Sequence, residues 1–108
     1  MDISLREEEQ ALIVTVAGRL DGLTAPDFDR QAATWVRPNR LVVLDLSQLN
    51  YISSAGLRSV LTLGKQLKAG KGRLALCSLS GFIKEVIELS GFNAFLPVYP
   101  DAASALKD

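Results

Sequence analysis

The stretch "LVVLDLSQLNYISSAGLRSVL", residues 41–61, decides the fold because its hydrophobic period changes part-way along. Leu41 to Asp45 is a nearly continuous apolar run of β-forming residues, the pattern of a central strand covered on both faces. From Ala55 onward apolar residues recur at helical spacing. The stretch therefore predicts a buried strand, a loop over 50–56 and then a helix. Its predicted inner face carries Leu57, Val60, Leu61, Gly64 and Leu67.

Strand and helix patterns alternate along the rest of the chain. A hairpin over 3–17 comes first, and a helix follows the candidate N-cap Thr24, with Pro26 at a tolerated early position. "GRLALCS" is another strand, and Ser80 or Gly81 opens a helix whose predicted inner face carries Phe82, Val86 and Leu89. An extended "LPVYP" and a terminal helix capped by Asp101 complete the order. This alternation predicts an α/β fold with a largely parallel sheet, in which function sits at the carboxyl ends of the strands.

Bulk composition excludes several classes of function. The 108 residues suit one domain, 1–108. Twelve basic and twelve acidic residues cancel, so we expect no direct binding of nucleic acid. The absence of histidine removes Ser-His-Asp and Cys-His catalysis and His-ligated metals. One cysteine forms no internal disulfide, and no apolar run approaches the roughly 18 residues that span a bilayer. We expect a cytoplasmic protein without membrane insertion.

Two serines, Ser53 and Ser54, precede the central helix. Either can cap it, since a cap hydroxyl accepts a hydrogen bond from an otherwise unpaired N–H group. The same N–H groups and the helix dipole also favour an anion, so a phosphate on a serine here would be tolerated. A serine hydrolase is excluded because "YISSAG" lacks the glycine two residues before the serine and the chain offers no histidine as base.

These segments together resemble the STAS domain family, the family of anti-sigma-factor antagonists. In that family a central strand ends in an aspartate-leucine-serine step, which Asp45–Ser47 match, and a Ser/Thr-Gly helix start follows, which Ser54–Leu57 match. "GRLDGLTAPDF" resembles the upstream loop of the family, and "SGFIKEVIELSGFNAFLPVYPDAASAL" resembles its C-terminal half. The resemblance implies a STAS-type mixed, largely parallel sheet of four to five strands with about four helices, packed mainly on one face.

The resemblance also implies a non-enzymatic binding module without cofactor or metal. Free-standing members bind a GHKL-type anti-sigma serine kinase when unphosphorylated, release it when phosphorylated on the loop serine, and are reset by a PP2C-like phosphatase. Carried over by position, Ser54 is the phosphoacceptor. The implied partner-binding residues are Asp21, Gly22, Leu23, Thr24, Ser53, Ser54, Ala55, Gly56, Leu57 and Arg58. A weak homodimer is left open as a further association.

One departure from the family keeps alternatives open. The best-known members have an acidic residue directly before the acceptor, whereas this chain has Ser53. The acceptor is therefore Ser54 or, less favoured, Ser53. A second hypothesis keeps the fold without phosphorylation, as a STAS adaptor subunit of a transport or signalling complex. A third, a small α/β enzyme or nucleotide-binding domain, is disfavoured because the chain has neither histidine nor a phosphate-loop glycine pattern.

Five other residues have mainly structural interpretations. Asp21 is either a turn residue or part of the partner surface, and Asp45 is expected to bond nearby backbone N–H groups. Cys77 reads as a small buried hydrophobe and Trp35 as a partly covered core residue. Leu63 lies off the predicted apolar stripe of its helix; if exposed, it would be a partner contact, although a solitary surface leucine needs no explanation.

Overall fold

The computed structural model describes residues 1–108 and contains six strands and four α-helices. The strands are β1 (Asp2–Glu8), β2 (Ala11–Leu20), β3 (Leu41–Asp45), β4 (Leu49–Ile52), β5 (Arg73–Cys77) and β6 (Val98–Tyr99). The helices are α1 (Ala25–Ala32), α2 (Ser54–Ala69), α3 (Gly81–Ser90) and α4 (Ala102–Lys107), with a 3₁₀ turn at Phe92–Ala94. Strands and helices alternate, which confirms the predicted α/β class.

The strands lie in the order β1-β2-β3-β5-β6, with β4 paired to the end of β2. β1 runs antiparallel to β2, and every other pair is parallel, so the sheet is mixed and largely parallel as predicted. It has six strands instead of four to five because the segment expected to be a loop includes β4. The register shifts between Gly18 and Arg19, and Gly18 has a φ of 92°. This irregularity lets the ten-residue β2 pair first with β3 and then with β4.

The two faces of the sheet are covered unequally. Alternate residues of β2, β3 and β5 pack against α1, α2 and α3 in a cluster of 20 buried residues. The opposite face contributes a cluster of five, closed by Ala105 of α4. The prediction that helices pack mainly on one face is confirmed. A central strand covered on both faces has no polar alternation, which is why "LVVLD" is continuously apolar.

The inner faces of two helices differ from the predicted ones. Leu63 of α2 is 1% exposed, so its placement off the inner face was wrong and the condition for a partner contact is not met, whereas Leu61 is only partly buried. In α3 the expected inner residues Phe82 and Leu89 are 49% and 88% exposed. The buried residues of these helices are Gly56, Ser59, Val60, Leu63 and Leu67 in α2 and Ile83 and Ile87 in α3. Each helix is rotated about its axis relative to the prediction.

Two further residues are buried in the core, as their sequence-based interpretations predicted. Trp35 is fully buried, more so than expected, and meets Phe28 edge-to-face with ring centroids 5.5 Å apart. Cys77 is the buried last residue of β5. Burial raises the pKa of its thiol, which agrees with a packing role.

Candidate functional site

The candidate site lies where β2 and β4 end side by side. Leu20 pairs with Ile52 in these parallel strands, so the chain segments that follow them leave the sheet together. One segment is the loop 19–24, which leads to α1, and the other is the Ser53–Ser54 step into α2. The backbone N–H of Ser53 donates to the carbonyl of Leu20 at 3.0 Å. The two loops that the sequence predicted as one surface are therefore neighbours at the carboxyl edge of the sheet.

The two serines occupy different positions at the start of α2. Ser53 is the N-cap, with an extended backbone, and its hydroxyl accepts a hydrogen bond from the N–H of Gly56 at 3.3 Å. Ser54 is the first helical residue and is exposed, and its side chain makes no hydrogen bond within the protein. The sequence left open which of the two serines caps the helix. In the structure Ser53 is the cap and Ser54 has the free hydroxyl.

Gly56 fixes how closely α2 approaches β2. A Cβ atom at this position would lie 2.4 Å from the carbonyl oxygen of Leu20 and 2.9 Å from a side-chain carbon of Ile52. No real side chain fits at that separation, so glycine is required by the contact and not by its backbone angles. The residue is buried, which places it beneath the candidate surface and not on it.

A closed set of hydrogen bonds holds the loop 19–24. The Asp21 carboxylate accepts from the N–H groups of Leu23 at 3.0 Å and Thr24 at 3.2 Å, and from the Arg19 guanidinium at 3.3 Å. The Thr24 hydroxyl accepts from the N–H of Asp21 and donates to the carbonyl of Arg19, both at 2.9 Å. Thr24 stands at the N-cap position of α1 as predicted, but its side chain braces this loop instead of capping the helix. Asp21 is a turn residue that also adjoins the candidate site, so its structural role and its proposed role in the partner surface are compatible with each other.

The hydrogen bonds also set the charge of Asp21. Partial burial by itself would raise the pKa of this carboxyl. The bonds from the backbone of Thr24 and Leu23 and from the Arg19 side chain outweigh burial, and the pKa is lowered. The carboxylate is therefore ionised throughout the neutral range.

The predicted partner-binding residues divide by exposure. The exposed ones are Gly22, Leu23, Ser54 and Arg58; the partly buried ones are Asp21, Thr24, Ser53, Ala55 and Leu57; Gly56 is buried. A shallow groove of about 240 Å³ separates the two segments, with Gly22 and Pro26 on one side and Ala55 and Arg58 on the other. Of the exposed members, Gly22 and Arg58 line this groove, and Leu23 and Ser54 stand next in sequence to its lining residues Gly22 and Ala55.

Sequence reasoning missed an aromatic stack that borders this surface. The Arg19 guanidinium lies 4.3 Å from the ring centroid of Tyr51, and the Tyr51 ring stacks on Phe82 with centroids 5.6 Å apart and planes at 9°. The pairing of Arg19 with Tyr51 follows from β4, which was not predicted. Phe82 had been assigned to the core. Its stacking on Tyr51 explains how a half-exposed aromatic side chain is accommodated at the start of α3.

Asp45, at the end of β3, accepts a hydrogen bond from the N–H of Ser47 at 2.9 Å, which confirms the expected bonding to nearby backbone. No group of three or more His, Cys, Asp or Glu side chains is placed to hold a metal ion. None of the four helices combines the length and apolarity that crossing a bilayer requires.

Comparison with known proteins identifies the family. The sequence model of the STAS domain matches residues 2–105. The chain belongs to the STAS domain family. This confirms the resemblance inferred from the strand–serine–helix segment and its flanking loops.

Among curated relatives, BtrV of Bordetella bronchiseptica, described as an anti-sigma factor antagonist, is 40% identical over 99% of this chain and 96% of its own length. The anti-sigma F factor antagonist of Paenibacillus polymyxa is 24% identical over 100% of this chain and 94% of its own.

Solved structures share the fold. An anti-sigma factor antagonist from Mycobacterium paratuberculosis superposes with a TM-score of 0.88 at 23% identity, covering 98% of this chain and 91% of that one. SpoIIAA of Bacillus in its phosphorylated form superposes with a TM-score of 0.73 at 18% identity, covering 98% and 97% of the two chains.

Proposed function

We propose that the protein is an anti-sigma-factor antagonist that binds a GHKL-type anti-sigma serine kinase and is switched off by phosphorylation of Ser54. The binding surface consists of the loop 19–24 and the start of α2 around the groove between them. The protein acts as a binding module and performs no chemistry itself, and a PP2C-like phosphatase restores the binding form. The names of its full-length relatives support the antagonist role.

The position of Ser54 carries this proposal. Its exposed hydroxyl has no competing hydrogen bond within the protein, so a kinase reaches it without disturbing the fold. A phosphate there stands near the positive end of the α2 dipole, which favours negative charge at a helix N-terminus. The first turn of α2 contains no acidic residue that would repel it. Phosphorylation therefore leaves α2 intact and changes the surface.

The replacement of the acidic residue of the family by Ser53 is compatible with this switch. Position 53 is the N-cap, where aspartate and serine are similarly effective because each offers an oxygen to an unpaired N–H. Ser53 retains that structural task, and its hydroxyl already accepts from Gly56. These contacts favour Ser54 over Ser53 as the acceptor.

A phosphate on Ser54 adds about −1.5 to −2 charges to a surface that faces the partner. Burying that charge against a contact built for a neutral hydroxyl costs binding energy through desolvation and missing counter-charges. A loss of about 3 kcal/mol lowers affinity roughly a hundredfold, which suffices for a switch.

The test combines binding and phosphosite mapping. The protein is incubated with the anti-sigma kinase encoded beside it and ATP, and the modified residue is identified by mass spectrometry in wild type, Ser54→Ala and Ser53→Ala. We expect phosphate on Ser54 in wild type and in Ser53→Ala, and none in Ser54→Ala. Ser47→Ala, an exposed serine on the preceding turn, serves as a matched control that stays phosphorylated. The proposal would be refuted if neither Ser53 nor Ser54 is phosphorylated and the protein does not bind the anti-sigma kinase.

The neutral residue before Ser54 also favours a second function, that of a STAS adaptor subunit of a transport or signalling complex that is never phosphorylated. The same experiment separates the two. An adaptor would stay unmodified, and Ser54→Ala would keep full activity in cells.

A further inference from the structure

We propose that Leu23 is the apolar anchor through which this surface binds its protein partner, an inference that rests on the proposed function. Leu23 is 93% exposed, the highest fraction among the large hydrophobic residues that the surface displays. A single exposed leucine is ordinary in a folded protein, so exposure alone assigns no role. Its role is inferred from the hydrogen bonds that hold its loop and from the groove beside it.

The loop presents Leu23 on a backbone that is already ordered. The N–H of Leu23 itself donates to the Asp21 carboxylate, and the next residue, Thr24, bonds both to Asp21 and to the carbonyl of Arg19. Ordering a flexible loop on binding would cost conformational entropy and weaken the complex. Here that ordering is complete in the free protein, so burying the Leu23 side chain yields most of its transfer free energy as affinity.

The position of Leu23 connects it to the switch. Its neighbour Gly22 lines the groove whose far side is formed by Ala55 and Arg58, directly after Ser54. Leu23 follows Gly22 and Ser54 precedes Ala55, so each is next in sequence to a residue of the groove lining. A partner seated over the groove would therefore meet both loops, and a phosphate on Ser54 would add charge beside the contact that Leu23 makes.

The occupant that fits is a pocket on a protein, lined by apolar side chains and about as large as a leucine side chain. A few side chains in well-packed and desolvated pockets carry most of the energy of a protein interface, and Leu23 is the candidate for that position on this surface. A lipid surface fits less well, because the chain has no net charge to attract anionic headgroups.

The chain contains a matched control. Leu89, near the end of α3, is 88% exposed and has the same side chain, but it lies away from the groove and its helix offers no comparable brace. Affinity for the anti-sigma kinase is measured by calorimetry for wild type, Leu23→Ala and Leu89→Ala. We expect Kd to rise about ten- to thirtyfold for Leu23→Ala and to stay within about twofold for Leu89→Ala. Both variants should melt as wild type does, since neither residue is buried.

A double-mutant cycle tests the role of the brace. Thr24→Val removes the hydroxyl while keeping the shape, and Thr24 is here a positioning residue that acts through Leu23. We expect Thr24→Val to weaken binding several-fold in the wild-type background and to have little further effect in Leu23→Ala. Equal effects in both backgrounds would contradict the argument that Thr24 holds Leu23 for the partner.

The outcomes separate this inference from the proposed function. If wild type binds the kinase and Leu23→Ala binds equally well, the anchor is overturned and the antagonist function stands. If wild type does not bind, both are overturned. Co-sedimentation with phosphatidylcholine–phosphatidylglycerol vesicles that depends on Leu23, with unchanged kinase binding, would assign the side chain to lipid instead.

Discussion

Replacing Gly56 by alanine should destabilise the protein and disturb the site. In an ordinary helical position the change from glycine to alanine stabilises by about 1 kcal/mol, because alanine restricts the unfolded chain and glycine does not. Here the new methyl carbon would lie 2.4 Å from the carbonyl oxygen of Leu20, which cannot retreat without lengthening its hydrogen bond to the N–H of Ser53. Overpacking of this kind costs about 3 kcal/mol, so the net loss is about 2 kcal/mol.

Gly64 of the same helix provides the matched control. A Cβ there would meet only side-chain carbons of Leu96 at 3.4 Å and Leu74 at 3.6 Å, which is ordinary contact. Gly64→Ala should therefore stabilise by about 0.5–1 kcal/mol. The predicted difference between the two variants is about 3 kcal/mol, with opposite signs relative to wild type.

Urea denaturation and thermal denaturation, both followed by circular dichroism, measure the free energy of unfolding and the melting temperature of the two variants. Gly56→Ala should melt about 8 °C below wild type, at about 4 °C per kcal/mol for a domain of this size, and Gly64→Ala slightly above it. Gly56→Ala should also lose affinity for the anti-sigma kinase, because a displaced α2 carries Ser54 with it. A Gly56→Ala protein as stable as Gly64→Ala would refute the claim that the approach of α2 to Leu20 depends on the missing side chain.

Three further changes test separate contacts. Ser53→Ala should cost about 1 kcal/mol in urea denaturation because it removes the helix cap, whereas Ser54→Ala should change stability by no more than about 0.3 kcal/mol. Arg40→Ala should cost about 2 kcal/mol by the same assay, because it leaves the carbonyl of Trp35 without the buried guanidinium that bonds it at 3.0 Å. The lowered pKa of Asp21 means that its carboxylate stabilises the fold above its unfolded pKa near 3.9 and loses this effect as pH falls through the lower folded pKa. The urea midpoint of wild type should therefore exceed that of Asp21→Asn at pH 7, and the difference should shrink as pH falls through the lowered pKa of Asp21.

Five of the six strands and the start of α2 were predictable from the sequence because their signals are local. The apolar run of β3 is short and rich in β-branched residues, which favours a strand, and Ser53 and Ser54 stand directly before a run of helical period. The strand β4 was missed for a physical reason: four residues carry too little periodicity, and its pairing depends on the irregularity at Gly18 that frees the end of β2. Without β4, the stacking of Arg19 on Tyr51 could not be foreseen.

The faces of the helices were not predictable, because their sequences contain competing stripes. In α3, apolar residues at 82, 86 and 89 and at 83 and 87 form two adjacent stripes; the second is buried, and Phe82 of the first stacks on Tyr51. A hydrophobic period indicates the existence of an amphipathic helix more reliably than its rotation when the apolar residues form more than one stripe.

In α2 the rotation of the helix and the exposure of Ser54 have one cause. Gly56 must face β2, because only a residue without a side chain fits against the Leu20 carbonyl. Two residues span about 200° around a helix, so a Ser54 hydroxyl on the same helix points away from β2 once Gly56 points toward it. The outward stripe continues through Arg58, Thr62 and Lys65, all exposed, while Leu63 is carried into the core. The glycine that the family resemblance assigned to the partner surface is therefore buried beneath it, and from there it turns the hydroxyl of Ser54, the proposed phosphoacceptor, toward solvent.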